Sequence, residues 1–372
     1  MIALVFVSAA IWLVLLFAHG RFWQSGPELA RRRPADAPAV AAVVPARDEA
    51  GVIARTAASL LAQDYPGALR VVLVDDGSAD GTGAIARGLG DARLTVVEGR
   101  ARPAGWSGKL WAVSQGIAEA GDAPEFYLLT DADIVHDPAH VAALVAKAEA
   151  DDLDMVSEMV ALACDSVAER ALVPAFVYFF QLLYPFAWVN DPLRATAAAA
   201  GGTILIRRRA LDRIGGIEAV RGALIDDVAL ARAVKRGGRI WLGHSALARS
   251  IRPYPGFADI WRMVSRTAYV QLRYSPLILS GTVLAMILTW LVPPYAAVFG
   301  HGAARGLGLL VWAAMAASFV PTLRRYNRSP LWGIALPGIS AFYLAATIGS
   351  AVNHITGRGV AWKGRAYQGA HG

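Results

Sequence analysis

Two carboxylates, Asp131 and Asp133, stand two residues apart at the end of the apolar run Phe126-Tyr127-Leu128-Leu129. On an extended chain, side chains at that spacing point the same way, so both face one site. At roughly 5 Å and an effective dielectric of about 20 they repel by about 3 kcal/mol. A divalent cation between them removes that cost, and Mg²⁺-like ions take oxygen ligands and substrate phosphates. The pair also fits a solvated strand-to-helix turn, with Asp137-Pro138 capping the next helix. Two further acidic pairs are Asp75-Asp76 and Asp226-Asp227. A nucleotide site needs acceptors for base and ribose, a metal for the diphosphate and a base for the chemistry. The pairs Asp75-Asp76, Asp131/Asp133 and Asp226-Asp227 supply these in that order. Each has a plainer alternative. Asp75-Asp76-Gly77-Ser78 makes a turn and helix cap, Asp226-Asp227 caps the helical run 228–235, and Lys109 fits an exposed helix surface.

The elements that must position these residues follow from periodicity. Apolar runs at 39–44, 70–74, 94–97, 126–130 and 155–160 alternate with helical patterns at 52–63, 82–89 and 110–120. Further strands are expected at 203–206 and 239–242, with helices at 207–214 and 228–235. This β-α-β order predicts an α/β fold with a doubly wound, mostly parallel sheet. Such sheets bind ligands beyond the carboxyl ends of their strands, where Asp75-Asp76 and Asp131 fall.

Composition places the sheet beside a membrane. Of 372 residues, 56% are hydrophobic and only 17% charged, and the mean hydropathy is +0.42. The apolar surplus sits at the two ends. Residues 2–18 carry no charge and precede Arg21, Arg31, Arg32 and Arg33. No basic segment precedes this stretch and no small-residue cleavage site follows, so it reads as a retained membrane helix rather than a signal peptide. Residues 277–299, 307–323 and 331–352 each approach the roughly 20 residues that cross a bilayer. Residues 172–189 are apolar and aromatic and are expected to lie in the membrane interface. The predicted organisation is a transmembrane helix over 1–20, a catalytic domain over 38–275, membrane segments over 276–353 and a basic tail over 354–372. Net charge is +7, and the basic residues cluster beside apolar segments, which favours anionic headgroups and topology signals over nucleic acid. They place the domain on the cytoplasmic face of a bacterial-type inner membrane, in a multi-pass chain. The basic linker 324–328 and the basic tail both prefer the cytoplasm although one span separates them, so one segment is expected to be re-entrant, broken at Pro293-Pro294 or Pro337-Gly338. The single cysteine, Cys164, excludes an internal disulfide and a cysteine-based zinc site.

Five motifs then carry a resemblance: Val44-Pro45-Ala46-Arg47-Asp48-Glu49, Val74-Asp75-Asp76-Gly77-Ser78, Gly105-Trp106-Ser107-Gly108-Lys109, Asp131-Ala132-Asp133 and Asp226-Asp227. In this order the chain resembles the membrane-bound family-2 glycosyltransferases of GT-A fold. It looks most like the bacterial hopanoid-biosynthesis-associated enzymes, relatives of ceramide glucosyltransferase. Gly105-Trp106 with Gly108-Lys109, and the tail Gly357-Arg358 with Trp362-Lys363-Gly364-Arg365, suggest that subgroup. The resemblance implies an inverting transfer of a sugar from a nucleotide-diphosphate donor, a UDP-sugar in the first instance, to a membrane lipid acceptor such as a hopanoid. It implies that Pro45, Arg47, Glu49, Asp75, Asp76, Lys109, Asp131 and Asp226 bind the nucleotide sugar. Asp131 and Asp133 would hold Mg²⁺ or Mn²⁺, and Asp227 would be the catalytic base. Gly201, Gly202, Gln271 and Arg273 would lie on the acceptor side. Asp48 stands where Asn is usual and Asp226 where Glu is usual. Gln271-Leu272-Arg273-Tyr274 is one residue short of the Gln-x-x-Arg-Trp element, which weakens a polysaccharide-synthase reading. Transfer to polyprenyl phosphate, or a non-catalytic membrane scaffold that keeps the fold, are the competing expectations.

Overall fold

The computed structural model describes residues 1–356 and the backbone of two short strands, Ala361–Trp362 and Arg365–Ala366. The chain divides into an α/β unit that includes Pro27–Ala163 and Trp188–Pro253, and a helical unit, Met1–Gly26 with Cys164–Ala187 and Tyr254–Ala361.

Among the described residues, the main sheet of the α/β unit has eight strands: β1 (Val40–Ala46), β2 (Leu69–Asp75), β3 (Leu94–Glu98), β4 (Phe126–Thr130), β5 (Ile134–His136), β6 (Met155–Ala161), β7 (Thr203–Arg207) and β8 (Ile240–Ser250). Their order is β3-β2-β1-β4-β7-β6-β8-β5. Strands β3, β2, β1 and β4 are parallel, and so are β6 and β8. Strand β7 runs antiparallel to both β4 and β6, and β5 antiparallel to β8. The sheet is therefore mixed, and β5, three residues long, is too short to show a period in the sequence. Every residue of β1 and β4 is buried, as expected for strands covered on both faces. The core joins Val40, Val44, Leu73, Leu128, Leu144 and Leu205 among others.

This topology gathers the ends that matter. The carboxyl ends of β1, β2, β4 and β8 share one edge, and the reversal of β7 brings its amino end, with Gly201-Gly202, to the same edge through the pairing Thr130↔Thr203. The helix Gly108–Ala120 starts there too. Ser107 caps it, accepting from Leu110 N at 3.3 Å. Gly116 allows its close approach to the sheet, because a Cβ there would lie 2.4 Å from Val43 Cγ1. The cap and the glycine thus fix where Lys109 emerges, one residue into the helix.

Among the described residues, three helices of the helical unit are long and apolar enough to cross a membrane: Pro276–Phe299, Gly302–Arg325 and Pro330–Ile355. The N-terminal helix Ile2–Phe17 is shorter, 16 residues, or about 24 Å at 1.5 Å per residue. Most of residues 172–189 form the helix Val167–Leu183 of this unit. Its Tyr178 is buried, bonds Ser318 Oγ at 2.6 Å and packs edge-on against Phe319 and Trp290. Residues 254–275 also fall in this unit rather than with the sheet. The proposed break points are changes of helix type, and the chain continues helically through both. A π-helical turn, Ile287–Leu291, precedes Pro293-Pro294, and the 3-10 helix Pro330–Ala335 runs into Leu336–Ile355 at Pro337. Proline removes an N–H donor, and the irregular turn frees a carbonyl that Trp12 uses, its Nε1 donating to Thr289 O at 2.8 Å.

Candidate active site

At the shared edge, Lys109 lies between carboxylates from two distant stretches. Its Nζ is 2.8 Å from Asp131 Oδ1 and 3.3 Å from Asp226 Oδ2. Asp226 and Asp227 open the helix Asp226–Lys235, where the helix dipole favours negative charge. They do not cap it: the N-cap is Ile225, with no side-chain cap bond. Asp227 instead accepts from Val228 N at 2.7 Å and from Gly201 N at 2.8 Å. Pro45, Lys109, Thr130, Asp131, Gly201, Asp226 and Asp227 line one cleft. Gly201 leaves room for it, since a Cβ there would lie 3.2 Å from Asp227 Oδ2 and 3.3 Å from Lys109 Nζ.

The electrostatics follow from burial. Burial and the Asp226 carboxylate push the Asp227 carboxyl up to about 7, against the pull of Lys109 and the two backbone donors. Asp131 is raised by burial, with Lys109 opposing and Asp133 and Asp226 adding to the rise. Burial pulls the Lys109 ammonium down, but Asp131 and Asp226 outweigh it and hold it well above the ordinary lysine range. Three carboxylates around one ammonium leave surplus negative charge, and one of them exchanges a proton near neutrality.

A second cluster joins the ends of β1, β2 and β8. Arg252 Nε donates to Asp133 Oδ2 at 2.7 Å, and its Nη2 donates to Glu49 Oε1 at 2.6 Å. Arg47 donates to the Asp76 carbonyl and lies 3.8 Å from its carboxylate. Asp75 serves the turn, its Oδ1 accepting from Ser78 N at 3.0 Å. Asp48 adopts φ +50°, a left-handed conformation that Asp and Asn both tolerate, so the exchange between them is mild.

Residues 41–215 match the family model Glycosyl transferase family 2. This stretch is a family 2 glycosyl transferase domain, and the chain is a glycosyltransferase. No curated protein sequence matches it. Among solved structures, the glycosyltransferase is similar to the mannosyltransferase PcManGT from Pyrobaculum calidifontis, in complex with GDP-Man and Mn²⁺. Identity is 20%, covering 94% of this chain and 98% of that one, with a TM-score of 0.55. TarS 1-349 from S. aureus, in complex with UDP-GlcNAc, aligns at 14% identity over 89% and 97% of the two chains, TM-score 0.44. Mannosyl-3-phosphoglycerate synthase from Rubrobacter xylanophilus aligns at 15% over 66% and 80%, TM-score 0.40. The likeness to the first is one of fold.

The family match in the glycosyltransferase ends before Asp226-Asp227, which the topology supplies. Gln271 and Arg273 belong to the helical unit, where Gln271 donates to the Tyr184 hydroxyl at 2.5 Å and Arg273 has φ +54°. Apart from the backbone of the two short strands, the tail element 357–365 lies outside the described residues. Arg252 is a site residue that the sequence does not single out, being one arginine in a basic run. Its position just past the end of β8 was the available signal, obscured because β8 runs eight residues beyond its expected end.

Proposed function

We propose that this glycosyltransferase moves a sugar from a nucleotide-diphosphate donor to a hydroxyl of a membrane lipid, with inversion at the anomeric carbon. The observation that carries this reading is the convergence of Asp131, Lys109, Asp226 and Asp227 on one cleft. Asp76, Arg47 and Glu49 sit where base and ribose would bind, and Lys109 faces the diphosphate. Asp227 takes the proton from the acceptor hydroxyl as its oxygen attacks, and its raised carboxyl returns that proton near neutral pH. A positioned base of this kind contributes about 10²–10⁴ in rate.

The acidic residues fit a divalent cation. Among the described residues no three His, Cys, Asp or Glu side chains form a cage for one. Asp131 and Asp133 each engage a basic side chain through one oxygen, Oδ1 in Asp131 and Oδ2 in Asp133, which leaves the other for an ion completed by diphosphate and water. Mg²⁺ or Mn²⁺ so held would neutralise charge on the departing diphosphate. The GDP-Man and Mn²⁺ bound by PcManGT support this class of ligands, and the apolar helices support a lipid acceptor, a hopanoid being the first to try. The cytoplasmic face of a bacterial inner membrane is where such donors are available.

A screen of UDP- and GDP-sugars against lipid acceptors in detergent, read by mass spectrometry of the lipid, tests the proposal. A glycosylated lipid hydroxyl is expected. Full transfer by Asp227→Asn to a polyprenyl phosphate would show that the acceptor is already an anion. Absence of Mn²⁺-dependent UDP or GDP binding would leave a scaffold.

A further inference from the structure

Beneath the cleft runs a chain of polar side chains that the proposed chemistry does not use. Glu158 on β6 is wholly buried, and its Oε1 lies 2.6 Å from His140 Nε2. His140, equally buried at the start of the helix His140–Ala150, has its Nδ1 2.9 Å from Nδ1 of His136 on β5. His136 Nε2 is 3.3 Å from the Thr130 hydroxyl at the end of β4. That hydroxyl donates to Gly202 O at 2.9 Å, which also accepts from Asp131 N at 3.3 Å. Ser157, beside Glu158, holds the same turn by accepting from Ala200 N at 2.9 Å.

The inventory of donors fixes the direction of each proton. A carbonyl only accepts, so the single Thr130 proton is committed to Gly202 O. His136 must then donate from Nε2, which makes its Nδ1 the acceptor in the neutral ring. His140 therefore donates from Nδ1. The remaining proton lies between His140 Nε2 and Glu158, either as an acid donating to imidazole or as an imidazolium paired with carboxylate. Both forms are neutral overall. Burial and the neighbouring His140 hold His136 far below the ordinary histidine range, in keeping with its neutral ring. Glu158 Oε2 has no partner among the described residues. An apolar filling would avoid burying that oxygen, so packing alone does not account for the chain.

We propose that Glu158, His140, His136 and Thr130 form a one-directional hydrogen-bonded chain that positions the turn before β7 and, through Gly201 N–H, the carboxylate of Asp227. These are positioning residues, and the inference rests on Asp227 being the proton acceptor. The turn receives the chain at Gly202 O and presents the adjacent Gly201 N–H to Asp227. Loss of the Thr130 donor lets the turn relax and misaims the base.

The test uses the full chain in detergent. Thr130→Val removes the hydroxyl at nearly constant volume. It is expected to lower kcat about 10- to 100-fold, the scale of a small misplacement, with KM for the nucleotide sugar unchanged. Thr130→Ser restores kcat. Glu158→Gln, whose amide can still donate to His140, keeps kcat within about threefold of wild type, whereas Glu158→Leu loses it as Thr130→Val does. Unchanged kcat in Thr130→Val, or no rescue by serine, overturns the proposal. A second readout does not depend on transfer. In ¹⁵N-histidine spectra, with resonances assigned through His136→Gln and His140→Gln, His136 should be the neutral Nε2–H tautomer and His140 should carry Nδ1–H. A His136 that carries its proton on Nδ1, or that becomes charged between pH 6 and 8, sinks the chain whatever the enzyme transfers. If the tautomers hold but wild type moves no sugar, it is the functional reading that fails.

Discussion

The two ends of β4 and β7 hold clusters of charge that look alike in sequence and differ in kind. At the far end, Arg207 is buried and engages a carbonyl and two carboxylates. Its Nε donates to Leu153 O at 2.9 Å, its Nη1 and Nη2 reach Glu125 and Glu149 at 2.5 and 2.6 Å, and its guanidinium lies 4.6 Å from the Phe126 ring centroid. At the cleft end, Lys109 is shared among three carboxylates, and one of those is poised near neutrality. Both clusters carry more carboxylates than cations. At the far end the cation is covered by the Phe126 ring and the surplus reaches solvent through the half-exposed Glu125. At the cleft end the surplus faces a cleft, and one carboxyl there is raised toward neutrality.

Exchanging one residue at each end breaks the comparison most sharply. Asp227→Asn should lower transfer by about 10²–10⁴ while nucleotide affinity, measured by calorimetry, changes little. The same variant tests the raised carboxyl without an activity assay. In wild type the group moves from its ordinary 3.8 up to about 7 on folding, so its contribution to stability is present below about pH 4 and is lost as pH rises through about 7. Asp227→Asn should remove that part of the fall in thermal midpoint. Transfer in wild type should rise with pH through the same range, because the unprotonated form is the one that accepts.

Arg207→Met should do the reverse. It strands Glu125 and Glu149, and we expect about 2–4 kcal/mol of destabilisation, below the usual cost of breaking a buried pair because Glu125 is half-exposed. Transfer per folded molecule should be unchanged. A loss of kcat at temperatures where the variant is fully folded would erase the distinction between the ends.

Lys109→Met sharpens the comparison from inside the cleft. Without the ammonium, Asp131 and Asp227 lose an opposing charge, and the acid limb of the pH–rate profile should move up by about 1 unit. The smallest effect belongs to the helical unit, where buried polar groups are largely neutral. Tyr178→Phe removes one hydroxyl bond to Ser318 and should cost about 1 kcal/mol, read as a slightly lower thermal midpoint with transfer intact.

Much of this was legible in the chain itself. Strands β1, β2 and β4 announce themselves as continuous apolar runs because both faces are covered, and the acidic pairs at their ends follow from the rule for open sheets. The apolar ends announce a membrane through length alone. Other features were not legible because they depend on contacts between distant residues. The antiparallel course of β7, which brings Gly201 to Asp227, leaves no mark on a five-residue strand. Arg252 is one arginine in a basic run, and the chain that joins His136, His140 and Glu158 has no mark in local spacing. Residue type and local spacing determined which strands form and which carboxylates stand at their tips. Only the tertiary structure decided that Lys109 sits among three of them and that β7 reverses, because burial and the pairing of remote charges do not exist until the sheet closes.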